Sequence, residues 1–272
     1  MTESIASMAV SEDGTEIGYW STGHGQPLVV VHGGTADHTR WQTVLPYFEP
    51  HATVHAVDRR GRGASGDGPD YALEREFEDV AAVVDTVAEA TGGPVDLVGH
   101  SFGALCAVGG VALTSSVRRL VLYEPAGWSP DDAIAPEMID KLDALLAEGR
   151  REDLLVAFFR EAVHMPESEL ALLRDLPAWQ SRVAAAHTVV RELWAIESFE
   201  YDNTMLAKVA VPTLVLVGSE SPAGVRSLCE RVADAVPQAE LGVLAGEQHV
   251  AIDTAPELFA ETVLAFIRSD RR

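Results

Sequence analysis

The pentapeptide Gly99-His100-Ser101-Phe102-Gly103 sets a serine between two glycines, after the apolar run 95–98 and ahead of a second apolar stretch that begins at Phe102. A strand that turns directly into a helix through this pattern leaves its serine on a tight, strained elbow. The glycines matter because side chains beside it would collide with neighbouring elements. The hydroxyl is lifted clear of the sheet, which makes Ser101 the candidate nucleophile. The first amides of the following helix face the same spot, where negative charge developing on a substrate oxygen meets the positive end of the helix dipole. A second donor is expected from His32-Gly33-Gly34-Thr35, at the end of the apolar strand 27–31, because glycine lets a backbone amide approach a ligand closely. We assign the two oxyanion-binding amides to Gly34 and Phe102. A serine attacks a carbonyl only when a base takes its proton. His249, in the loop 246–249 that leaves the last strand, can reach the same end of a sheet as Ser101.

These residues need a scaffold that gathers strand ends. Buried-type apolar runs occur at 27–31, 52–58, 95–100, 119–123, 212–218 and 240–244. Helical stretches alternate with them at 102–113, 223–236, 256–267 and 74–91, the last carrying Phe77, Val80, Val83, Val84 and Val87 on one face. Residues 5–10 and 16–21, around Glu12-Asp13-Gly14, form an opening antiparallel hairpin. The fold class predicted is α/β: a mainly parallel eight-stranded sheet with helices on both faces and ligands at the carboxyl ends of the strands.

Between 126 and 206 the alternation stops. Helices are expected over 136–148, 151–163, 167–175 and 179–198, with breaks at Pro166 and Pro177. We therefore expect a core domain of 1–125 and 207–272, with 126–206 inserted as a helical cap over the strand ends. The cap carries Trp128, Met138, Phe158, Phe159, Met165, Trp179, Trp194, Phe199, Tyr201 and Met205. Most of these are its own core, and some line an apolar pocket. His164 and His187 read as satisfied or exposed cap histidines.

Bulk composition narrows the partners. A formal charge of −22 over 272 residues repels phosphate backbones and anionic lipid surfaces, which argues against nucleic acid and membrane. Cys106 and Cys229 lack metal-site spacing, so neither a disulfide framework nor a zinc site is indicated. His51 and His55 lie in or beside a strand, where a spacing of four does not bring their rings together, and no metal is expected. Gly18, Gly23 and Gly25 lack the strand-turn-helix setting of a dinucleotide site. The loop 58–65, with three arginines, reads as held by local hydrogen bonds around Asp58 rather than as a phosphate cradle, since no helix N-terminus follows it directly. The N-terminus lacks a signal-peptide pattern and no run of about 18 apolar residues occurs, so a cytoplasmic location is expected.

Assembled, these segments resemble the α/β-hydrolase fold family from about residue 5 to Ile267. Gly99–Gly103 is similar to its nucleophile elbow, His32-Gly33-Gly34 to its oxyanion loop, Asp58 to Ser65 to its D-x-R-G-x-G-x-S loop, and His249 to its catalytic histidine. The resemblance implies serine hydrolase chemistry on esters, lactones, thioesters or related carbonyl compounds, without a cofactor. His32 and His100 match structural positions of the family. One position departs: relatives usually carry an aspartate three residues after the strand-ending Gly218, and here Ser221 stands there. Two carboxylates remain as the acid. Glu124 ends the strand after the elbow helix, a position from which some members supply their acid, and Glu220 neighbours the vacated place. Glu247 and Asp253, close to His249 along the chain, rank last. The expected activity is hydrolysis of an ester or lactone of a fairly hydrophobic small molecule, with short charged esters binding poorly. The alternatives are hydrolysis of a carbon–carbon bond in a diketone-like substrate and a non-catalytic ligand-binding role. Oligomeric state is left open.

Overall fold

Strand alternation in the sequence becomes two packed faces in the computed structural model, which describes residues 6–127, 134–199 and 203–269. Eight strands lie in the order β1-β2-β4-β3-β5-β6-β7-β8. They are β1 (Ser7–Val10), β2 (Glu16–Gly23), β3 (Gln26–Val31), β4 (Ala52–Val57), β5 (Val95–His100), β6 (Val117–Tyr123), β7 (Thr213–Gly218) and β8 (Ala239–Leu244). The first two strands form the expected hairpin, β2 runs antiparallel to β4, and every other pairing is parallel. All six residues of β5 and of β7 are buried, as parallel strands covered on both faces must be.

Val29 and Val31 of β3 face a core built with α2 (Leu73–Thr91), α3 (Phe102–Val111) and α10 (Ala223–Ala235). Leu28 and Val30, one residue out of phase, face Trp41, α1 (Leu45–Phe48), and α11 (Ala251–Thr254) with α12 (Pro256–Ile267). The two-residue period of the strand thus sorts one chain into both halves of the core.

Between β6 and β7 lie α4 (Pro136–Ala147), α5 (Arg151–Ala157), α6 (Glu167–Asp175), α7 (Trp179–Ala185), α8 (Val189–Ser198) and α9 (Asn203–Ala207). This helical insertion has its own apolar centre, around Ile139, Leu142, Leu154, Leu173 and Trp179. Two helices are more broken than their apolar period suggests. The stretch 179–198 contains a tight turn at Ala186–Thr188, where the Thr188 hydroxyl donates to the Ala185 carbonyl at 2.9 Å. The stretch 151–163 ends in a widened turn over Phe158–Ala162, closed by Val163 N–H donating to Phe158 O at 3.0 Å, and then by His164 at φ 56°. Trp194 is 44% exposed and so does not belong to the insertion's core. Trp128 and Tyr201 lie outside the described residues. Cys106 and Cys229 are free and buried, and among the described residues no helix is long and apolar enough to cross a membrane.

Candidate active site

Ser101 stands at the end of β5 with φ 55° and ψ −124°, a backbone conformation that costs an L-residue on the order of 1–3 kcal/mol. Four backbone hydrogen bonds hold it there. Its N–H donates to Tyr123 O at 2.9 Å, and its carbonyl accepts from Ala104 N at 2.9 Å, Leu105 N at 3.3 Å and Ala126 N at 3.2 Å. The flanking glycines are sterically required: a Cβ on Gly103 would lie 2.4 Å from the carbonyl oxygens of Val31 and His32, and one on Gly99 would lie 2.5 Å from Ala104 Cα. Phe102 opens α3, so its amide is among those that have no acceptor within the helix.

Glu124 ends β6 in a second left-handed turn, at φ 42°. This turn carries its side chain beneath the end of β7, where it is 2% exposed. Oε1 accepts from Gly218 N at 2.9 Å and from the Ser221 hydroxyl, and Oε2 lies 2.7 Å from His249 Nδ1. Burial raises the carboxyl pKa, but the hydrogen bonds from His249, Ser221 and Gly218 outweigh burial and hold it below the usual carboxylate range. The serine at the vacated aspartate position therefore acts as a donor to a different acid. Glu220 is not brought to the imidazole. Its side chain is exposed and accepts from Ser219 Oγ at 3.1 Å, while its backbone N–H ties the loop to Glu247 O at 3.0 Å. Glu247 accepts from Thr254, and Asp253 pairs with Arg40 at 2.5 Å.

Several contacts fix the histidine loop. The Tyr123 hydroxyl donates to Gln248 O and accepts from Ala251 N at 3.1 Å, and His100 Nε2 lies 3.0 Å from His249 O. Burial holds His100 well below the ordinary imidazole range, so it is neutral and donates through Nε2. With Nδ1 of His249 engaged by Glu124, its Nε2 is left for a proton from elsewhere. Among the described residues no hydrogen bond yet joins it to Ser101, a contact that commonly tightens only on substrate binding.

The loop His32-Gly33-Gly34 is anchored from behind. Gly33 O accepts from His32 Nδ1 at 2.8 Å and from Arg59 Nη1 at 3.2 Å. The C=O and N–H of a trans peptide point in opposite directions, so this anchoring turns the Gly34 amide the other way, and Gly34 lines the cavity with Ser101. Arg59 is itself saturated. It meets Glu76 through Nε at 3.0 Å and Nη2 at 2.6 Å, reaches Glu192 of α8 at 2.9 Å, and stacks 4.2 Å over the Phe102 ring. Arg62 shares Glu192, and Arg60 pairs with Asp79. Asp58 does hold its loop locally, accepting from Trp20 Nε1 at 2.8 Å, His38 N at 2.8 Å and Ala64 N at 2.9 Å. The arginines, however, reach well beyond the loop. Asp37, His38 and Asp58 have metal-like spacing, yet the Asp58 oxygens already face these donors.

A cavity of about 730 Å³ opens over Ser101, between the strand ends and the helical insertion. Ser101, Phe102, Gly34, Glu124 and His249 all border it, so the assigned residues other than Glu220 are brought together. Phe158, Met138 and Leu193 supply apolar wall, and Phe199 packs instead against Phe77. Six charged residues of the wall have no role in the sequence analysis: Arg40, Glu161, Glu169, Arg182, Glu192 and Glu197. Burial raises the Glu169 carboxyl, and its Oε2 has no hydrogen-bond partner among the described residues.

A family model described as "Alpha/beta hydrolase family" matches residues 28–262. The chain is 25% identical over 255 residues to (E)-2-((N-methylformamido)methylene)succinate hydrolase of Acinetobacter baylyi, covering 92% of this chain and 94% of that one. It is 29% identical over 223 residues to 2-hydroxy-6-oxo-2,4-heptadienoate hydrolase of Pseudomonas putida, covering 76% of each. The crystal structure of an alpha/beta hydrolase from Sphaerobacter thermophilus superposes with a TM-score of 0.81 at 34% identity, covering 96% of this chain and 100% of that one.

Proposed function

The chain belongs to the alpha/beta hydrolase family, and on that premise we propose that it hydrolyses a carboxylic ester or lactone of a small molecule through an acyl-enzyme on Ser101. The observation that carries this reading is the 2.7 Å contact of Glu124 with His249 beside a serine at φ 55° on the cavity floor. Ser101 Oγ attacks the carbonyl carbon as His249 Nε2 takes its proton. The tetrahedral oxyanion lies against the Gly34 and Phe102 amides. Collapse expels the alcohol oxygen, which takes the proton from His249; a water deprotonated by the same nitrogen then releases the acid. Glu124 holds the imidazole in the tautomer this needs and offsets its positive charge. The helical insertion serves as a cap, supplying apolar wall and excluding water.

Turnover of a panel of aryl esters and lactones tests the reading. Wild type should hydrolyse members of the panel, and Ser101→Ala should lose about three or more orders of magnitude in kcat with its melting temperature preserved. A variant that keeps more than about a tenth of wild-type turnover would overturn it.

A second reading, hydrolysis of a carbon–carbon bond in a diketone-like substrate, is favoured by the similarity to 2-hydroxy-6-oxo-2,4-heptadienoate hydrolase, whose name describes an oxo acid rather than an ester. It uses the same serine and histidine. Turnover of a 1,5-diketone acid with none of any ester would select it.

A further inference from the structure

Two arginines line the cavity: Arg40, on the turn His38–Trp41, and Arg182, on α7. They are 3% and 5% exposed. A guanidinium out of water normally sits against a carboxylate, because an unpaired buried charge is strongly disfavoured. Arg40 meets Asp253 through Nη1, but its buried Nη2 has no hydrogen-bond partner among the described residues. Arg182 has less. Its one hydrogen bond among the described residues runs from Nη1 to the Thr35 hydroxyl at 3.0 Å, and no described carboxylate oxygen lies within ion-pair distance of it.

The acids in its neighbourhood are engaged elsewhere. Asp253 is taken by Arg40 and by Thr43 at 3.0 Å, Asp37 by Thr39 N at 2.9 Å, and Glu192 by Arg59 and Arg62. Burial and the neighbouring Arg40 charge pull Arg182 down to about 10, which still leaves it protonated at neutral pH. The fold thus holds a cation at the wall of the cavity, next to the loop 32–35, met among the described residues by the Thr35 hydroxyl and by the Phe159 ring, 5.9 Å away, but by no carboxylate.

We propose that Arg182, with Arg40 beside it, forms a carboxylate-binding subsite, so that the molecule hydrolysed at Ser101 carries a second, ionised acid group. The inference deepens the ester or lactone reading and rests on it for the bond cleaved. It reverses the expectation, drawn from the apolar residues alone, that charged esters bind poorly. A planar carboxylate matches the guanidinium fork. A phosphate dianion fits worse, because Glu124, Glu169 and Glu192 border the same cavity and the chain carries a charge of −22.

The test is calorimetric binding to the Ser101→Ala protein, with monobenzyl glutarate as the anionic probe and benzyl methyl glutarate as its neutral counterpart. The anion should bind about tenfold or more tightly than the neutral diester. Adding Arg182→Met should cut that preference to about threefold or less, whereas adding Arg150→Gln, which removes an exposed arginine of the insertion, should leave the preference as it was. Equal binding of the two probes, no measurable binding of the anion, or a preference that survives Arg182→Met would overturn the subsite. The first comparison needs no change at Arg182, so it holds even if that variant folds poorly. If the Ser101→Ala protein still cleaves the probes, the serine reading fails while the binding preference continues to judge the subsite.

Discussion

Two buried arginine groups flank the loop His32-Gly33-Gly34, and they differ in how completely they are matched. Behind the loop, Arg59 donates to Glu76, Glu192 and Gly33 O, and Arg62 shares Glu192. Among the described residues of the cavity, Arg40 keeps one nitrogen without a hydrogen-bond partner, and Arg182 meets a threonine hydroxyl and the Phe159 ring but no carboxylate. Residue type and burial are alike in the two places. What separates them is saturation: matched charges brace the loop 32–34 and bind α8 to the core, whereas an unmatched charge weakens the fold unless a ligand meets it.

The largest effect should come from breaking the matched group. Arg59→Met strips Glu76 and Glu192 of their shared partner and should cost about 3–5 kcal/mol of unfolding free energy in urea. A loss below about 1 kcal/mol would erase the contrast. The same distinction applies to acids. Glu124, hydrogen-bonded on both oxygens, should lose on the order of a hundredfold in kcat as Glu124→Gln, with KM nearly unchanged, while exposed Glu220→Gln stays within a few-fold of wild type. Steady-state kinetics on both variants checks this, and the reverse pattern would hand the role to Glu220.

Smaller again is the effect of groups that avoid charge altogether. Burial holds His32 and His100 well below the ordinary imidazole range and lowers His55 to about 4. Unfolded imidazoles take up protons below about pH 6.5, and the folded ones do not. The unfolded state therefore binds more protons between about 6.5 and 4, and stability falls as pH drops through that window. Each imidazole contributes up to about 1.4 kcal/mol per pH unit, so His55→Gln should flatten the slope of urea midpoints between pH 6.5 and 4.5. An unchanged slope would assign the acid loss to other groups. The smallest effect carries the opposite sign to the first. Arg182→Met removes an unmatched charge and should raise stability by up to about 1 kcal/mol, read as a higher melting temperature; a drop comparable to that of Arg59→Met would place the two groups in one class.

Most of the frame was legible because it depends on local signals. Strand and helix periods, glycines around Ser101 and the loop after β8 report on their own neighbourhoods. Which carboxylate meets His249 was not, because it depends on a left-handed turn at φ 42° that sends the Glu124 side chain under β7. The three arginines of the loop 58–65 look local in the sequence, yet the partner Glu192 lies 133 residues from Arg59, a separation no short window spans. Arg182 did leave a trace: it sits three residues after Trp179 and three before Ala185, on the buried stripe of α7, where an arginine interrupts an apolar period. The break at Ala186–Thr188 turns on a threonine hydroxyl bonding back along the chain, which the apolar period does not reveal.

The central claim is that Ser101 is a nucleophile activated by a histidine which Glu124 holds in place. Its most direct test is labelling of the intact protein with a fluorophosphonate, followed by peptide mass mapping. The account predicts a single adduct, on the peptide that contains Ser101, forming on the order of a hundredfold more slowly in Glu124→Gln. No adduct, an adduct on another residue, or the same labelling rate in that variant would contradict it.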